Sequence, residues 1–498
     1  MLAEPPPSLR SVTMSAPSSR RRRPAGPPPS PRGRYWRRLL PLLAALALLT
    51  RLPSFRHPLW NPDEGYLAVQ ARLLASGGTL YATVVDRKPP LLPWLYEAAF
   101  ALCGDTSLTP LRLAAAAAQL LTALALASTA RRRWGDSAGR TAGVLYLLAS
   151  VGLSPEDAQA ATFEVFMLPF TAAAVRCADR GGWLRAGLAV AGAGLTKQTG
   201  GAVLAPVLWL LWQHPGPRRT PLLCTVVGVA APIAAAAWLT GPARFLFWTV
   251  TGSSAYASFA GSELHVLARG LVNTALLGAG CAGLLPPIAR VLRIARTGAV
   301  DLWLWLAASA GAVLLGFHFF GHYYLQLIPP LVLLATGALQ ILPAYRLTSA
   351  LLTSACACAL FVLWGLLAPR PELAHAVRIA AEVESRTGAG DRVLIWGIHP
   401  ETYWLAHRTP ASRFLTAGLL TNYSGGRDGP RVGEKYGIDG AWRDFRAELA
   451  DRPPALVVDD SRGKPFAPAR LPTLRRFLAR GYDRSGVVDG TVFYVRAQ

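Results

Sequence analysis

From Trp36 to Leu367 the chain is a succession of apolar runs, most of them near the length of a membrane-crossing helix and each parted from the next by a short polar turn. About 20 mostly apolar residues are needed to cross the core of a bilayer. Placing the runs by apolar length and by the positions of arginine gives about eleven spans on that criterion. They cover about 36–52, 108–130, 139–154 and 164–178, then 186 to Thr196 and from there to Pro215. The rest cover about 221–240, 265–288 and 301–317, His322 to Arg346, and 348–367. The Arg-dense turns 131–140, 176–185, 215–219 and 290–296 all fall on one side of this arrangement. Basic turns mark the cytoplasmic side, so the N-terminus is expected inside and the C-terminal region outside. Four other polar interruptions, at Asp63/Glu64, at Glu156/Asp157/Glu164, at Lys197 and at His322, share the opposite, outer side.

Composition agrees: 52% of the residues are hydrophobic and only 16% charged, where soluble domains run near 25% charged. The net charge of +23 would suit nucleic acid if it formed a surface patch. Here it lies in turns between apolar runs, which argues against a nucleic-acid partner. The cysteines, Cys103, Cys177, Cys224, Cys281, Cys356 and Cys358, lie mostly inside apolar runs without metal-ligand spacing. They read as small hydrophobes rather than a disulfide frame.

Three regions follow. Residues 1–35 form a Pro/Ser/Arg tail around Arg20-Arg21-Arg22-Arg23, expected to be a disordered cytoplasmic segment. Residues 36–368 form the transmembrane domain, in which 53–107 is too polar and broken to cross and reads as an outer loop of short juxtamembrane helices. Residues 369–498 change pattern. Asp391–Gly397 and Ala455–Asp460 read as strands, and Ser485–Val495 as a hairpin turning at Asp489-Gly490. Pro371–Arg386 and Leu471–Arg480 have helical spacing. The expected fold is an all-α polytopic membrane protein with a small C-terminal extracytoplasmic α/β domain.

The chemistry concentrates on the outer side. Trp60-Asn61-Pro62-Asp63-Glu64-Gly65-Tyr66 puts two carboxylates just past the first span, and Asp86-Arg87-Lys88-Pro89-Pro90 follows about twenty residues on. An acidic pair beside a membrane is costly unless it has a function. Asp63 and Glu64 are candidate catalytic acids. The same residues also suit a helix start, with Pro and acids in the first turn. Adjacent side chains do not share a helix face, so one acid can act on substrate while the other packs elsewhere. Arg87 and Lys88 are candidate contacts to a substrate phosphate, which needs fixed positive charge as it departs; meeting lipid phosphates is the simpler use of such cations. Glu164 opens an apolar run as a candidate second acid. Lys197-Gln198 interrupts apolar sequence without basic neighbours. His322, Tyr323 and Gln326 open the tenth span and complete the substrate-binding set. A divalent metal, if one is used, would be held by Asp63 with Glu164 or Asp157.

Taken together, the acidic pair after the first span, Lys88-Pro89-Pro90, the outer acid opening span four, Leu195-Thr196-Lys197 and His322-Tyr323-Tyr324-Leu325 resemble the polyprenyl-phosphate-sugar-dependent glycosyltransferases of the GT-C fold. The likeness is in particular to the protein O-mannosyltransferase and lipid A aminoarabinose transferase superfamily, over about residues 36–345. The resemblance implies sugar transfer from a polyprenyl-phosphate donor, with inversion at the anomeric carbon. It implies that Asp63 is the catalytic or metal-proximal acid, that Glu164 is the second, and that Lys88 and Lys197 contact the lipid phosphate. That family usually has Asp where Glu164 stands, so Glu156 and Asp157 remain alternatives for the second acid. The expected partners are the lipid-linked donor, membrane lipids and a glycan, lipid or protein acceptor. Two other classes are compatible with many spans. A transporter or flippase should show broken helices in two corresponding halves, and a non-catalytic scaffold presenting residues 369–498 would give the outer acids and lysines no reason to converge.

Overall fold

The computed structural model of the chain describes residues 31–253, 263–294, 299–423 and 430–497. The expected basic tail lies outside the described residues as far as position 30, and the first helix, Pro31–Thr50, already includes its last residues. The loop expected at 241–264 is described only to residue 253, and the turn at 290–296 only to Ile294.

Each of the eleven expected segments contains helix. By length and apolarity alone, the described residues hold four full spans: Thr109–Trp134, Arg219–Thr240, Val300–Phe317 and the run Ala344–Arg386. Glu263–Gly280 and Leu285–Leu292, bent by 91°, make a fifth if they count as one span. The difference from eleven has a physical source. Asp136–Ala149 and Trp183–Thr196 have 14 residues each. At 1.5 Å per residue such a helix covers about 21 Å, short of a core about 30 Å thick. Other segments are interrupted, as where the 3-10 turn Gln198–Val203 precedes Leu204–Trp212.

The helices meet through small residues, as is usual where lipid removes the hydrophobic drive between them. Trp183–Thr196 packs on Arg219–Thr240 at Gly187 and Gly228, where a Cβ on Gly228 would lie 2.5 Å from the Leu184 carbonyl oxygen. At the end opposite the outer loop, Arg133 pairs with Asp179 at 2.9 Å and with Asp301 at 2.6 Å. This links the C-terminal end of Thr109–Trp134 to two further helical elements.

The C-terminal region holds a five-stranded sheet: β1 (Arg392–Trp396), β2 (Thr409–Pro410), β3 (Leu456–Asp459), β4 (Tyr482–Val488) and β5 (Thr491–Arg496). The order is β2-β1-β3-β5-β4. β1 runs parallel to β2 and β3, and β5 runs antiparallel to β3 and β4. Side chains alternate between the two faces with period two. Val393, Ile395, Val458 and Phe493 pack with Ile379 and Val383 of the helix Pro371–Arg386. Leu394, Trp396 and Val457 pack with Phe445 and Leu449 of Ala441–Asp451 and with Leu474 of Pro472–Gly481. Helices therefore cover both faces, the arrangement expected for parallel strands.

This domain is fastened to the loop 53–107 rather than hanging from its connecting helix. Leu80, Tyr81 and Val84 of the loop belong to the same apolar cluster as Trp396 and Phe445. Arg413 Nη1 donates to the Ala82 carbonyl at 2.7 Å, and Trp404 Nε1 to that of Asp105 at 2.9 Å. Arg370 donates to the Trp60 carbonyl.

Candidate active site

Asn61 caps the helix Pro62–Ala75 from extended backbone (φ −148°, ψ 167°), its Oδ1 accepting from the Glu64 backbone N–H at 3.1 Å. Pro62 follows, where a missing N–H costs nothing. Asp63 and Glu64 then stand in the first turn, turned away from one another. Glu64 goes inward and is fully buried. Its Oε2 accepts from the Trp60 backbone N–H and its Oε1 from that of Ala161, both at 2.7 Å. Arg112 Nη2 lies 3.8 Å away and donates to the Pro58 carbonyl, while its Nη1 donates to that of His57. Arg51, also fully buried, donates to the carbonyls of Ala158, Gln159 and Ala160. The Glu64 carboxylate, expected to be catalytic, is instead committed to two backbone donors and does not line the cavity that Asp63 enters.

Asp63 goes outward, into a cavity of about 440 Å³ between the membrane domain and the C-terminal domain. Among the described residues none donates a hydrogen bond to its carboxylate or forms an ion pair with it. The same cavity is lined by Arg87, Lys88, His322 and Tyr323. Ile398, Pro400, Thr416, Leu419 and Tyr423 of the C-terminal domain line its other side. Ile398 and Pro400 follow directly on the carboxyl end of β1, the edge at which parallel sheets present loops to ligands.

Asp86 is a lining residue that the reading of the sequence passed over. It accepts from Gln70 Nε2 at 3.1 Å and from the Lys88 backbone N–H at 3.2 Å. Burial pushes its carboxyl above the ordinary aspartate value, and Lys88 pulls it partly back. The signal was present in its place just before Arg87-Lys88, but an acid next to two cations reads first as their neutralising partner.

The cations divide. Lys88 lines the cavity, its Nζ 4.7 Å from the centroid of the Phe163 ring. Arg87 is held through its backbone, the carbonyl accepting from Gln198 Nε2 at 2.6 Å, and the same nitrogen reaches the Thr249 carbonyl at 3.2 Å. Gln198, expected to bind substrate, thus fastens the segment that carries Arg87 and Lys88. Lys197 is buried, paired with Glu164, and its Nζ lies 3.8 Å from the centroid of the Tyr323 ring. Neither Lys197 nor Glu164 lines the cavity. The expected phosphate contact and the expected second acid neutralise one another behind its wall. Gln326 is buried and donates to the Tyr323 carbonyl at 2.9 Å, also away from the cavity.

Of the alternatives for the second acid, Glu156 and Asp157 both line the cavity with Asp63, and Asp157 is the one bonded to His322. Its Oδ1 accepts from the His322 backbone N–H at 2.9 Å and lies 2.7 Å from His322 Nδ1, while Ser154 Oγ donates to Oδ2 at 2.6 Å. Burial by itself would raise the Asp157 carboxyl, but the hydrogen bonds from His322 hold it below the ordinary value. A carboxylate on Nδ1 fixes the imidazole and leaves Nε2 as the other working nitrogen. Glu156, the remaining alternative, is exposed and lies 3.5 Å from Arg370 Nε. Among the described residues no group of three or more His, Cys, Asp or Glu side chains is placed to hold a metal ion. Of the acids expected as ligands beside Asp63, Asp157 directs its oxygens to His322 and Ser154, and Glu164 pairs through Oε1 with Lys197.

Solved structures share this architecture. ArnT from Cupriavidus metallidurans in its apo state superposes with a TM-score of 0.61 at 17% identity, covering 92% of this chain and 98% of that one. The chain has the GT-C glycosyltransferase fold. The same GT-C protein bound to undecaprenyl phosphate gives 0.59 at 17% identity, over 93% of this chain and 98% of that one. The archaeal oligosaccharyltransferase AglB from Archaeoglobus fulgidus, in complex with an inhibitory peptide and a dolichol-phosphate, gives 0.52 at 15% identity, over 93% and 74%. The model of the dolichyl-phosphate-mannose-protein mannosyltransferase family matches residues 87–240. No curated protein matches the chain. The GT-C likeness drawn from the motifs between 36 and 345 and the likeness drawn from the fold therefore agree, and with the apolar helices they make this a membrane protein.

Proposed function

We propose that this chain transfers a glycosyl group from a polyprenyl-phosphate sugar to an acceptor at the outer face of the cell membrane. The observation that carries the reading is the Asp63 carboxylate, unpaired among the described residues, in a cavity shared with Lys88, Arg87 and His322. In the reaction the acceptor oxygen forms a bond to the anomeric carbon, and the bond from that carbon to the phosphate oxygen breaks. Asp63 takes the acceptor proton as general base. The phosphate leaves with the bonding electron pair, and the fixed charges of Lys88 and Arg87 stabilise it. His322, oriented by Asp157, supplies a polar contact to the donor through Nε2. Tyr323 forms part of the wall. Support comes from the fold, from the family-model match and from the undecaprenyl phosphate bound to a protein of the same fold.

The orientation belongs to the same proposal. The basic turns lie inside, and the loop 53–107 and residues 369–498 lie outside. In sealed cells, an impermeant thiol reagent should label a cysteine placed at exposed Ser107 and not one at exposed Ser137.

The reaction is tested with purified protein and radiolabelled polyprenyl-phosphate hexoses and pentoses supplied one at a time, against glycan, lipid and peptide acceptors. One donor should give transfer, and Asp63→Asn should lower its rate by about 10²-fold or more with donor binding retained. Wild-type rates in the variant would remove Asp63 from the chemistry.

A further inference from the structure

A second cavity, of about 460 Å³, lies in the C-terminal domain between the helices Ala441–Asp451 and Pro472–Gly481 and the strands β4 and β5. Its volume falls in the range that takes small ligands. Four arginines line it, Arg446, Arg476, Arg480 and Arg496, and no carboxylate does. The floor is apolar and includes Phe477 and Tyr482, whose rings lie 5.0 Å apart.

Carboxylate pairing is not general among the arginines of this domain: Arg392 and Arg408 bond backbone carbonyls instead. Elsewhere in the domain Arg378, Arg386, Arg413 and Arg462 each pair with an Asp or Glu. Among the described residues none of the four lining arginines does. Arg446 and Arg476 donate Nε to the carbonyls of Trp442 and Pro472, one turn back on their own helices, which restrains both side chains. Arg476 and Arg480 stand four residues apart on one helix face, where like charges destabilise the helix. The first turn of the helix Pro472–Gly481 has no acid of its own, and Glu434 from outside the helix caps it by accepting from the Thr473 N–H at 2.7 Å and its hydroxyl at 2.9 Å. Four solvent-exposed guanidinium groups from three elements thus meet on one concave surface that no carboxylate lines, and a bound anion would relieve their mutual repulsion.

We infer that this cavity is a binding site for a phosphate-bearing ligand with an apolar or ring face. Guanidinium groups match phosphate oxygens two at a time, and Phe477 with Tyr482 offers the surface for the apolar part. The phosphate has two possible carriers, a soluble ligand or an anionic lipid headgroup. Neither depends on the transfer reaction proposed above, because no residue of this cavity lines the other one.

The test uses the full chain in phosphatidylcholine nanodiscs. Pyrophosphate is titrated by calorimetry, and vesicles of phosphatidylcholine with or without phosphatidylglycerol are tested by flotation. Two double variants, Arg476→Gln/Arg480→Gln and Arg446→Gln/Arg496→Gln, guard against a folding defect in either. Arg443→Gln/Arg452→Gln, which lies outside the cavity, serves as the control. Saturable pyrophosphate binding that weakens with salt and falls about tenfold or more in both lining variants, but not in the control, establishes the site with a soluble carrier. Binding to the phosphatidylglycerol vesicles alone, lost in the same two variants, establishes it with a lipid carrier. No binding of either probe by wild type, or binding unchanged in the lining variants, overturns the inference.

Discussion

Gly65 and Glu401 meet with no room for a side chain on the glycine: a Cβ at position 65 would overlap that of Glu401 and lie 2.5 Å from its Cα. Gly65 is two residues beyond Asp63 on the helix Pro62–Ala75, and Glu401 begins the helix Glu401–Leu405 of the C-terminal domain. The position of Asp63 and the seating of the outer domain are therefore one mechanical problem. Gly65→Ala should lower stability by about 1–3 kcal/mol, the usual cost of overpacking. Transfer activity should fall with it, and proteolysis between the domains should quicken. Thermal unfolding in detergent and limited proteolysis check this; an unchanged midpoint with full activity would show that the two helices can slide apart freely.

The two adjacent acids should separate cleanly by experiment. Glu64→Gln loses the charge that accepts from Trp60 and Ala161 and faces Arg112. It should cost about 1.5–3 kcal/mol, the range for hydrogen bonds to charged groups. Asp63→Asn should leave the thermal midpoint in place, because Asn61 supplies the cap. Equal destabilisation by both substitutions would sink the division of roles.

Lys197 and Lys88 should also behave differently. Lys197→Gln strands a buried Glu164 and should cost about 3–5 kcal/mol, with much of the loss recovered in Lys197→Met/Glu164→Leu, since a buried pair can often be replaced by apolar residues. Lys88→Gln should keep normal stability and raise the donor KM by about tenfold or more. Loss of donor affinity without loss of stability in Lys197→Gln would restore Lys197 to the phosphate.

Asp86 predicts a pH effect. Burial raises its carboxyl above the ordinary value, so the folded chain holds that proton more tightly than the unfolded chain. Its contribution to stability therefore declines as pH rises from the ordinary aspartate range through the raised value. Asp86→Asn should remove that decline, leaving the variant as stable as wild type or more so at neutral pH. Thermal midpoints for both proteins across the acidic to neutral range decide it, and a variant that loses stability only above the raised value would reverse the sign.

Sequence alone located helix in each of the eleven apolar segments and near Pro371–Arg386 and Leu471–Arg480, but not the helices Pro242–Thr249, Glu401–Leu405, Ala417–Thr421 and Ala441–Asp451. Apolar length, arginine in turns and the period-two pattern at Arg392–Trp396 and Leu456–Asp459 are local signals, and they are readable because hydrogen bonding within each element does not depend on distant residues. The hairpin at Asp489-Gly490 was readable for the same reason. β2, only two residues long, was not, because so short a strand exists only through its pairing with β1. Tertiary structure decided which polar side chains share a cavity. Asp63 and Glu64 are chemically close and adjacent, yet Ala161, 97 residues from Glu64 in sequence, takes one of them out of the site. Glu164 and Lys197 carried the motif likeness, yet their mutual attraction 33 residues apart removes both from the wall that Lys88 and His322 line. The sequence singled out neither Arg51 nor Arg112, and only the tertiary structure brings carbonyls to them, from 158–160 to Arg51 and from His57 and Pro58 of the outer loop to Arg112. Whether a charged side chain meets substrate or another side chain depends on long-range packing, because burying a charge is tolerable only with its partner in place, and no local pattern records which partner arrives.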